Sequence, residues 1–524
     1  MQRLQRTLPS GALLLLLLAC GSCVYPRLDG STAPSRAFVR PEETEIGRTF
    51  AEVAAEHPGE SALYVLGGGL DGFAARVALI DGAERAIDAQ YYIFDGDFTG
   101  KYLLHRLLVA ADRGVRVRLL LDDLGTGGAI DDLLAAADQH PRLEVRLFNP
   151  RARGPWAWLA RTLDMIGRPA RLNRRMHNKQ LAGDGLAVII GGRNVGDAYF
   201  AAAEGVNFGD LDLLALGPVV RMAGESFDLY WNSSLVQRLK GWSSFEREPG
   251  ALGALRESLE REAEEGKGSR YAERLKRTGF VQEAERGELP LIWARARAFS
   301  DLPWKVQARG EEVPETLLIT QLGDALPEAE SELLIVSPYF VPRREGVAFL
   351  CGRAAAGVRV RVLTNALASS DVPAVHAGYK QYRRALLEGG VELYELMPRS
   401  AATLESYRSG GFGSKSASLH AKTFVVDRRH VFVGSLNVDP RSIDLNTELG
   451  LVIDSAELAE GLHGGIEELL TPPNSWRLSL EEGALVWNGL RDGEAVRLET
   501  EPDTSAWERF QVYLLGFLPI EGQL

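Results

Sequence analysis

Three cysteines in 524 residues are too few for a disulfide framework, and Cys20, Cys23 and Cys351 by their number alone leave the redox compartment open. Cations are also in short supply: 59 Lys and Arg stand against 71 Asp and Glu, a formal charge of −12. A protein that tracks a phosphate backbone carries a strong basic excess, so the charge argues against broad nucleic-acid binding and leaves room for a local basic patch. No His/Cys/Asp cluster stands at ligand spacing, so no metal and no other cofactor is expected. Apart from residues 11–19 there is no long apolar run, which excludes a polytopic membrane protein. The 45% hydrophobic and 25% charged fractions are those of a folded, water-facing chain, and the length exceeds one ordinary core. Two similar domains with peripheral segments are the natural organisation.

The one apolar run is informative. Arg3 and Arg6 precede it as a short basic region, and its length suits the core of a signal peptide. It ends Leu17-Leu18-Ala19-Cys20, which resembles a bacterial lipobox, where cleavage before the cysteine leaves Cys20 to be diacylated. Several acyl chains, each gaining about 0.8 kcal/mol per buried CH₂, would hold the mature chain on a bilayer. An uncleaved anchor, or an ordinary signal with an incidental cysteine, are the alternatives. All three place the protein at a membrane, outside the cytosol, as a periplasmic or surface-facing protein.

The pattern His-x-Lys-x4-Asp-x6-Gly-x-x-Asn occurs twice, as His177, Lys179, Asp184, Gly191, Asn194 and as His420, Lys422, Asp427, Gly434, Asn437. The copies are 243 residues apart (420 − 177), and Gly114 and Gly357 in RGVRVRLLL and AGVRVRVLT repeat that offset (357 − 114). IDAQYYIF at residues 87–94 corresponds to LIVSPYFV at 334–341. Period-two alternation marks these as strands, with helical stretches between them, so each half reads β-α-β-α-β before its tetrad. Two units of this size mean a duplicated domain and not a solenoid. Packed about a pseudo-two-fold axis, two halves can bring their tetrads into one composite site.

Two histidines and two lysines suffice for phosphodiester exchange without a metal. One imidazole attacks phosphorus, the other protonates the leaving oxygen, and the ammoniums hold the phosphate. His177 and Lys179, two apart on a strand, face the same way, as do His420 and Lys422. The glycines after each second strand would let backbone approach a phosphate, with Asn194 and Asn437 donating to its oxygens. Asp184 and Asp427, the tetrad acids, fall in the turn between strands and read as mainly structural. A nucleophilic imidazole needs a carboxylate on its other nitrogen. Asp210, in FGDLDLLALG, and Glu448, in NTELGLVID, follow the tetrads and are expected to orient His177 and His420; ordinary strand-end carboxylates are the bland alternative.

Five identities repeated at one spacing resemble the phospholipase D superfamily over about residues 84–470. The resemblance implies an α/β fold of duplicated phospholipase D-like domains, each a mixed sheet flanked by helices, forming a pseudo-two-fold dimer with one shared active site. It also implies a first-half nucleophile, His177, that forms a phosphohistidine, and a second-half acid and base, His420. By sequence the two histidines are nearly symmetric. The strings QYYIF, RLNRRMHNK, GGRNVGDAYF and ALGPVV, with residues 369–396 and the ending at 519–524, are similar to bacterial cardiolipin synthases of the C type. What that implies is transfer of a phosphatidyl group to the glycerol hydroxyl of phosphatidylglycerol, with phosphatidylglycerol or phosphatidylethanolamine as donor. Members of that group need not carry a lipobox, so Cys20 leaves the membrane and leaflet open. Hydrolysis by a phospholipase D is the runner-up; a secreted nuclease and a non-catalytic lipid binder stand behind it.

The expected organisation is a lipoprotein-type signal over 1–19, a tether and helix over 20–60, and a first domain over 61–240. A helical linker over 241–310, a second domain over 311–472 and a small β/helix appendage over 473–524 follow. Residues 151–175 hold seven arginines against one acid, interleaved with Trp156 and Trp158, the composition of a segment that docks on an anionic membrane surface. A basic loop pairing with the acidic remainder is the equal alternative. Asp122, Asp123 and His376 sit at strand ends or on loops within reach of the cleft. The helix candidate beginning at Trp507 is aromatic and aliphatic, suited to core docking or, less so, to membrane contact.

Overall fold

Every strand inferred from the 243-residue offset has its counterpart in the computed structural model, which describes residues 33–126, 129–151, 173–239, 250–307, 316–398, 416–518 and 521–523. The strands join into one 18-stranded mixed sheet whose order is a palindrome. At its centre Ser61–Leu66 pairs antiparallel with Ile292–Ser300. Outward into the first half lie Asp212–Leu216, the hairpin Ala187–Gly191 and Gln180–Gly183, then Ala86–Ile93, Arg116–Gly125, Leu143–Phe148 and the edge strand Val236–Arg238. Outward into the second lie Leu449–Asp454, the hairpin His430–Gly434 and Thr423–Val426, then Glu332–Val336, Arg359–Asn365, Glu392–Leu396 and Ser475–Glu481. In both halves the strands before the tetrad run parallel to one another, and the tetrad hairpin is antiparallel to them. The same order read outward from one antiparallel pair is a pseudo-two-fold arrangement.

Helices cover the sheet because each crossover between parallel strands must bury an apolar stripe. Phe98–Asp112 does so with Leu103, Leu104, Leu107 and Leu108 in the first-half core. The halves are also joined by a shared apolar core: Leu63, Val188, Ile190 and Leu213 from the first meet Val431, Val433, Leu449, Leu451 and Ile453 from the second. At roughly 1.5–3 kcal/mol for each fully buried aliphatic side chain, this interface is comparable to a domain core and not to a transient contact.

Two peripheral segments differ from expectation. The linker is helical over Ala251–Gly266, Arg270–Leu275 and Gly279–Arg286, but it ends in the nine-residue strand Ile292–Ser300 that splices the two half-sheets. The cause is a period of two inside a charge-rich stretch: Ile292, Ala294, Ala296 and Ala298 face the shared core, while Arg295 and Arg297 alternate with them. The C-terminal β segment is likewise no separate appendage. Ser475–Glu481, Ala484–Arg491 and Glu494–Leu498 extend the second half's sheet, and Trp476 and Trp487 fill its core.

The tetrad aspartates fasten the hairpins. Asp184 and Asp427 occupy left-handed turn positions, φ 55° and 50°. Asp184 accepts hydrogen bonds from the backbone N–H groups of Glu84, Arg85 and Ala86, each at 2.8 Å. Asp427 does the same for Glu330, Ser331 and Glu332 at 2.7–2.9 Å. Each therefore ties its hairpin to the start of the neighbouring strand. Asp184→Ala should lower stability by on the order of 3 kcal/mol, from lost charge-assisted bonds and a non-glycine, non-Asx residue at positive φ. Asp184→Asn should cost less, and the denaturant midpoints of the two variants check the order.

Candidate active site

The two tetrads meet where the halves cross. His177 N–H donates to the Thr447 carbonyl at 2.8 Å, and His420 N–H donates to the Gly209 carbonyl at 2.7 Å. Each bond ends one residue before a carboxylate, and that carboxylate then reaches the imidazole. His177 Nδ1 lies 2.8 Å from Glu448 Oε2, and His420 Nδ1 lies 2.5 Å from Asp210 Oδ2. Strand Val206–Gly209 runs parallel to Ser416–Leu419 and fixes the second crossing. The pairing is thus the reverse of that expected from chain order: each histidine is served by the acid of the other half. Docking of the halves decides this, and separation along the chain does not carry it.

Both acids are held from behind. Arg193 donates to the carbonyls of Leu66, Gly67 and Asp210 and pairs with Asp212, which pins the loop bearing Asp210. Glu448 accepts from Ser435 Oγ, and its backbone N–H donates to Asp301 Oδ2 at 2.9 Å. Asp301, at the end of the splicing strand, also accepts from Lys305 Nζ at 2.9 Å and from Leu318 N–H at 2.7 Å. The glycines serve this packing too. A Cβ on Gly192 would collide with the Asp210 carboxylate, and one on Gly434 with Leu449 and Gly450. Their smallness admits the carboxylate strand.

Lys179 and Lys422 are 1% and 0% exposed, and each ammonium donates to the carbonyl of its own tetrad histidine. Burial pushes Lys179 down to about 7 and lowers Lys422, against the pull of Asp210 and Glu448 on both. Burial, then Lys179 and Lys422, hold His177 well below its ordinary value. His420 is also lowered by burial and by Lys422, but Asp210 opposes that shift. The acids diverge. Burial raises Glu448 to about 7, whereas at Asp210 the opposing charges of His420, Lys422 and Arg193 outweigh burial and hold the carboxyl well below the usual range.

Aromatic walls close on the imidazoles. Tyr92 stands edge-to-face on His177 at 5.2 Å, and Tyr199 on His420 at 5.3 Å. Phe208 lies 5.2 Å from His420. None of these was singled out in the sequence, although Tyr92 and Tyr199 lie inside the strings that carry the resemblance. Asn194 is engaged by the protein: its Oδ1 accepts from Ile93 N–H at 3.1 Å and its Nδ2 donates to Tyr199 at 2.9 Å. Asn437 Nδ2 donates to Ser442 at 3.3 Å. The asparagines therefore brace the aromatic wall and the following turn.

Asp122 accepts from Arg175 and from Met176 N–H, fixing the entry to His177. Asp123 pairs with Arg151, and His376 lies in a buried network with Arg383 and Glu501. The arginine- and tryptophan-rich stretch from 152 to 172 lies outside the described residues, but Arg151, Arg174 and Arg175 at its flanks all bond inward. Among the described residues one group could in principle ligate a metal, Glu332, His463 and Glu467, and the guanidiniums of Arg361 and Arg428 already pair with its acids.

A family model described as the PLD-like domain of cardiolipin synthase matches residues 77–208 and 322–470, one stretch in each half. Cardiolipin synthase C of Escherichia coli K12 is 42% identical over 476 residues, covering 90% of this chain and 98% of that one. Cardiolipin synthase 2 of Staphylococcus epidermidis RP62A is 27% identical over 381 residues, 72% of this chain and 62% of its own. Among solved structures, the phosphatidylserine synthase of Haemophilus influenzae Rd KW20 covers 91% of this chain and 100% of its own at a TM-score of 0.55 and 13% identity, a likeness of fold alone. With the same domain model matching both halves and near-full coverage of a close relative, the chain belongs to the cardiolipin synthase family of phospholipase D-like enzymes.

Proposed function

We propose that this phosphatidyltransferase moves a phosphatidyl group through a phosphohistidine to the glycerol hydroxyl of phosphatidylglycerol, forming cardiolipin. The observation that carries the reading is the crossed pair of carboxylate-backed imidazoles with two buried lysines between them. His177 Nε2 attacks phosphorus while Nδ1–H is held by Glu448; His420 gives its proton to the departing alcohol oxygen. The acceptor hydroxyl then loses its proton to His420 and attacks the phosphohistidine, returning His177. The acids favour this division of labour. An ionised Asp210 pulls His420 toward the imidazolium that a proton donor requires, against burial and Lys422, whereas burial and the lysines keep His177 neutral and nucleophilic. The Lys179 and Lys422 ammoniums neutralise the phosphoryl oxygens as charge builds on them.

The donor is a second phosphatidylglycerol or phosphatidylethanolamine, and the reaction runs on a membrane surface. Cys20 anchors the enzyme as a lipoprotein facing the periplasm or exterior; no helix among the described residues is long and apolar enough to cross a membrane. Cys20 and the signal lie outside the described residues. Cys20→Ser should abolish incorporation of labelled palmitate in a bacterial host, and unchanged labelling would remove the anchor.

Labelled phosphatidylglycerol given to the purified enzyme, with and without phosphatidylethanolamine, should yield cardiolipin; His177→Ala and His420→Ala should reduce it by at least about 10⁴-fold. Phosphatidic acid as sole product would replace transfer by hydrolysis, and a phosphorylated fragment bearing His420 would reverse the two roles.

The pH profile follows from the site's charges. Glu448 is a carboxylate only above about pH 7, and Lys179 an ammonium only below about pH 7. Activity needs both forms, so kcat/KM should rise through the Glu448 ionisation, peak near neutrality and fall as Lys179 loses its proton. Glu448→Gln should lower kcat by on the order of 10³ and remove the acid limb, which a pH–rate series on both forms measures.

A further inference from the structure

The C-terminal helix Ala506–Leu515 leaves its most apolar face uncovered. Ser505 and Glu508 form a capping box at its start, and Arg509 donates to Thr504, so its charged groups are engaged at the N-terminal end. It docks through Val512, 2% exposed, and Leu515 against Leu367 and Ala377 of the second half. At 3.6 residues per turn, Trp507, Phe510, Tyr513 and Leu514 fall within an arc of about 120° on the opposite side, and Phe517 and Leu518 follow in the turn after the helix. They are 47–68% exposed, an unusual concentration of bare aromatics for a folded surface.

The end of this segment is attached to the active-site rim. Glu521 accepts from the Tyr382 hydroxyl, and the Gln523 carbonyl accepts from Arg441 at 3.2 Å. Arg441 also donates to Asn173, four residues before His177, and its charge acts on both His177 and Tyr92. The tail that follows the apolar face is therefore fastened to residues beside the catalytic cleft.

We propose that this face inserts into the headgroup and upper acyl region of a phospholipid bilayer and seats the cleft on it. The lipid class rests on the phosphatidyltransferase reading; the exposed face and its attachment to the rim do not. A mixed Trp, Tyr, Phe and Leu face with no uncompensated charge is the composition of an interfacial helix, which lies in the membrane plane and does not cross it. Substrates held in a bilayer must come to the rim that this helix borders, so a lipid surface accounts for both features together. A second copy of the chain would account only for the covering of apolar area.

The test uses the full-length protein and vesicles of phosphatidylglycerol and phosphatidylethanolamine with brominated acyl chains. Emission should be quenched in the wild type, and the part lost in Trp507→Leu reports Trp507 in the lipid whether or not Cys20 is acylated. The triple substitution Phe510→Ser, Tyr513→Ser, Phe517→Ser alters only exposed positions. It should cut product formation from vesicles at least tenfold and leave turnover of monomeric short-chain phosphatidylglycerol unchanged. Equal quenching in wild type and Trp507→Leu overturns the proposal. So does a triple substitution that lowers a concentration-dependent dimer in sedimentation while vesicle turnover stays constant, which assigns the face to a second copy. Absence of cardiolipin with Trp507 still quenched removes the synthase reading and keeps the membrane face.

Discussion

Each tetrad imidazole in this chain is held by a carboxylate that belongs to the other half of the molecule, and much of the architecture exists to keep that crossing in register. Glu448 reaches His177 and Asp210 reaches His420 only because backbone bonds from each histidine run to the residue just before the opposing acid. A shared aliphatic core and the splicing strand Ile292–Ser300 hold the halves in that position. Removing one member of such a pair leaves a buried charge or an untethered ring, at a cost of about 3–5 kcal/mol for a buried ion pair. Neither half could keep a competent histidine alone. The duplication is therefore not two sites in tandem but one site cut in two, and the segment between the halves takes part in it through Asp301, which receives the Glu448 backbone N–H.

Much of this was legible in the sequence, for physical reasons that also mark where legibility stops. A repeated offset exposes equivalent strands because burial imposes the same alternation on both halves, and the palindromic sheet realises those equivalences. The crossing was not legible. Asp210 stands 33 residues after His177 and Glu448 stands 28 after His420 (210 − 177; 448 − 420), so local distance favours the uncrossed pairing. Only inter-half packing, a long-range property, selects the other. The strand at 292–300 was hidden for the opposite reason: its alternation uses alanine, whose strand preference is weak, beside arginines that match the charged helices before it. Gly192, Gly434, Asn194 and Asn437 suit a phosphate by residue type, and the sequence does not show that they also serve the fold. Here close approach and hydrogen bonding are spent on the protein's own carboxylate strands and aromatic wall.

The resting charges of the cleft explain what the site should select. Two ammoniums with almost no access to water are costly, and the cost appears as Lys179 pushed down to about 7 and Lys422 lowered. Two further buried acids, Glu448 and Asp439, are pushed up to about 7 by the same loss of solvent. The cleft by itself thus carries fewer full charges than its composition suggests, with Lys179, Glu448 and Asp439 all titrating near neutrality. A phosphodiester anion entering beside the lysines opposes that shift: it favours the ammonium form of each, supplies counter-charge, and strengthens each contact because the local dielectric is low. A neutral ligand of the same shape would leave that lowering in place. Discrimination in favour of an anionic phosphodiester is therefore built into the burial of Lys179 and Lys422, whereas discrimination between headgroups has to come from residues farther out along the rim.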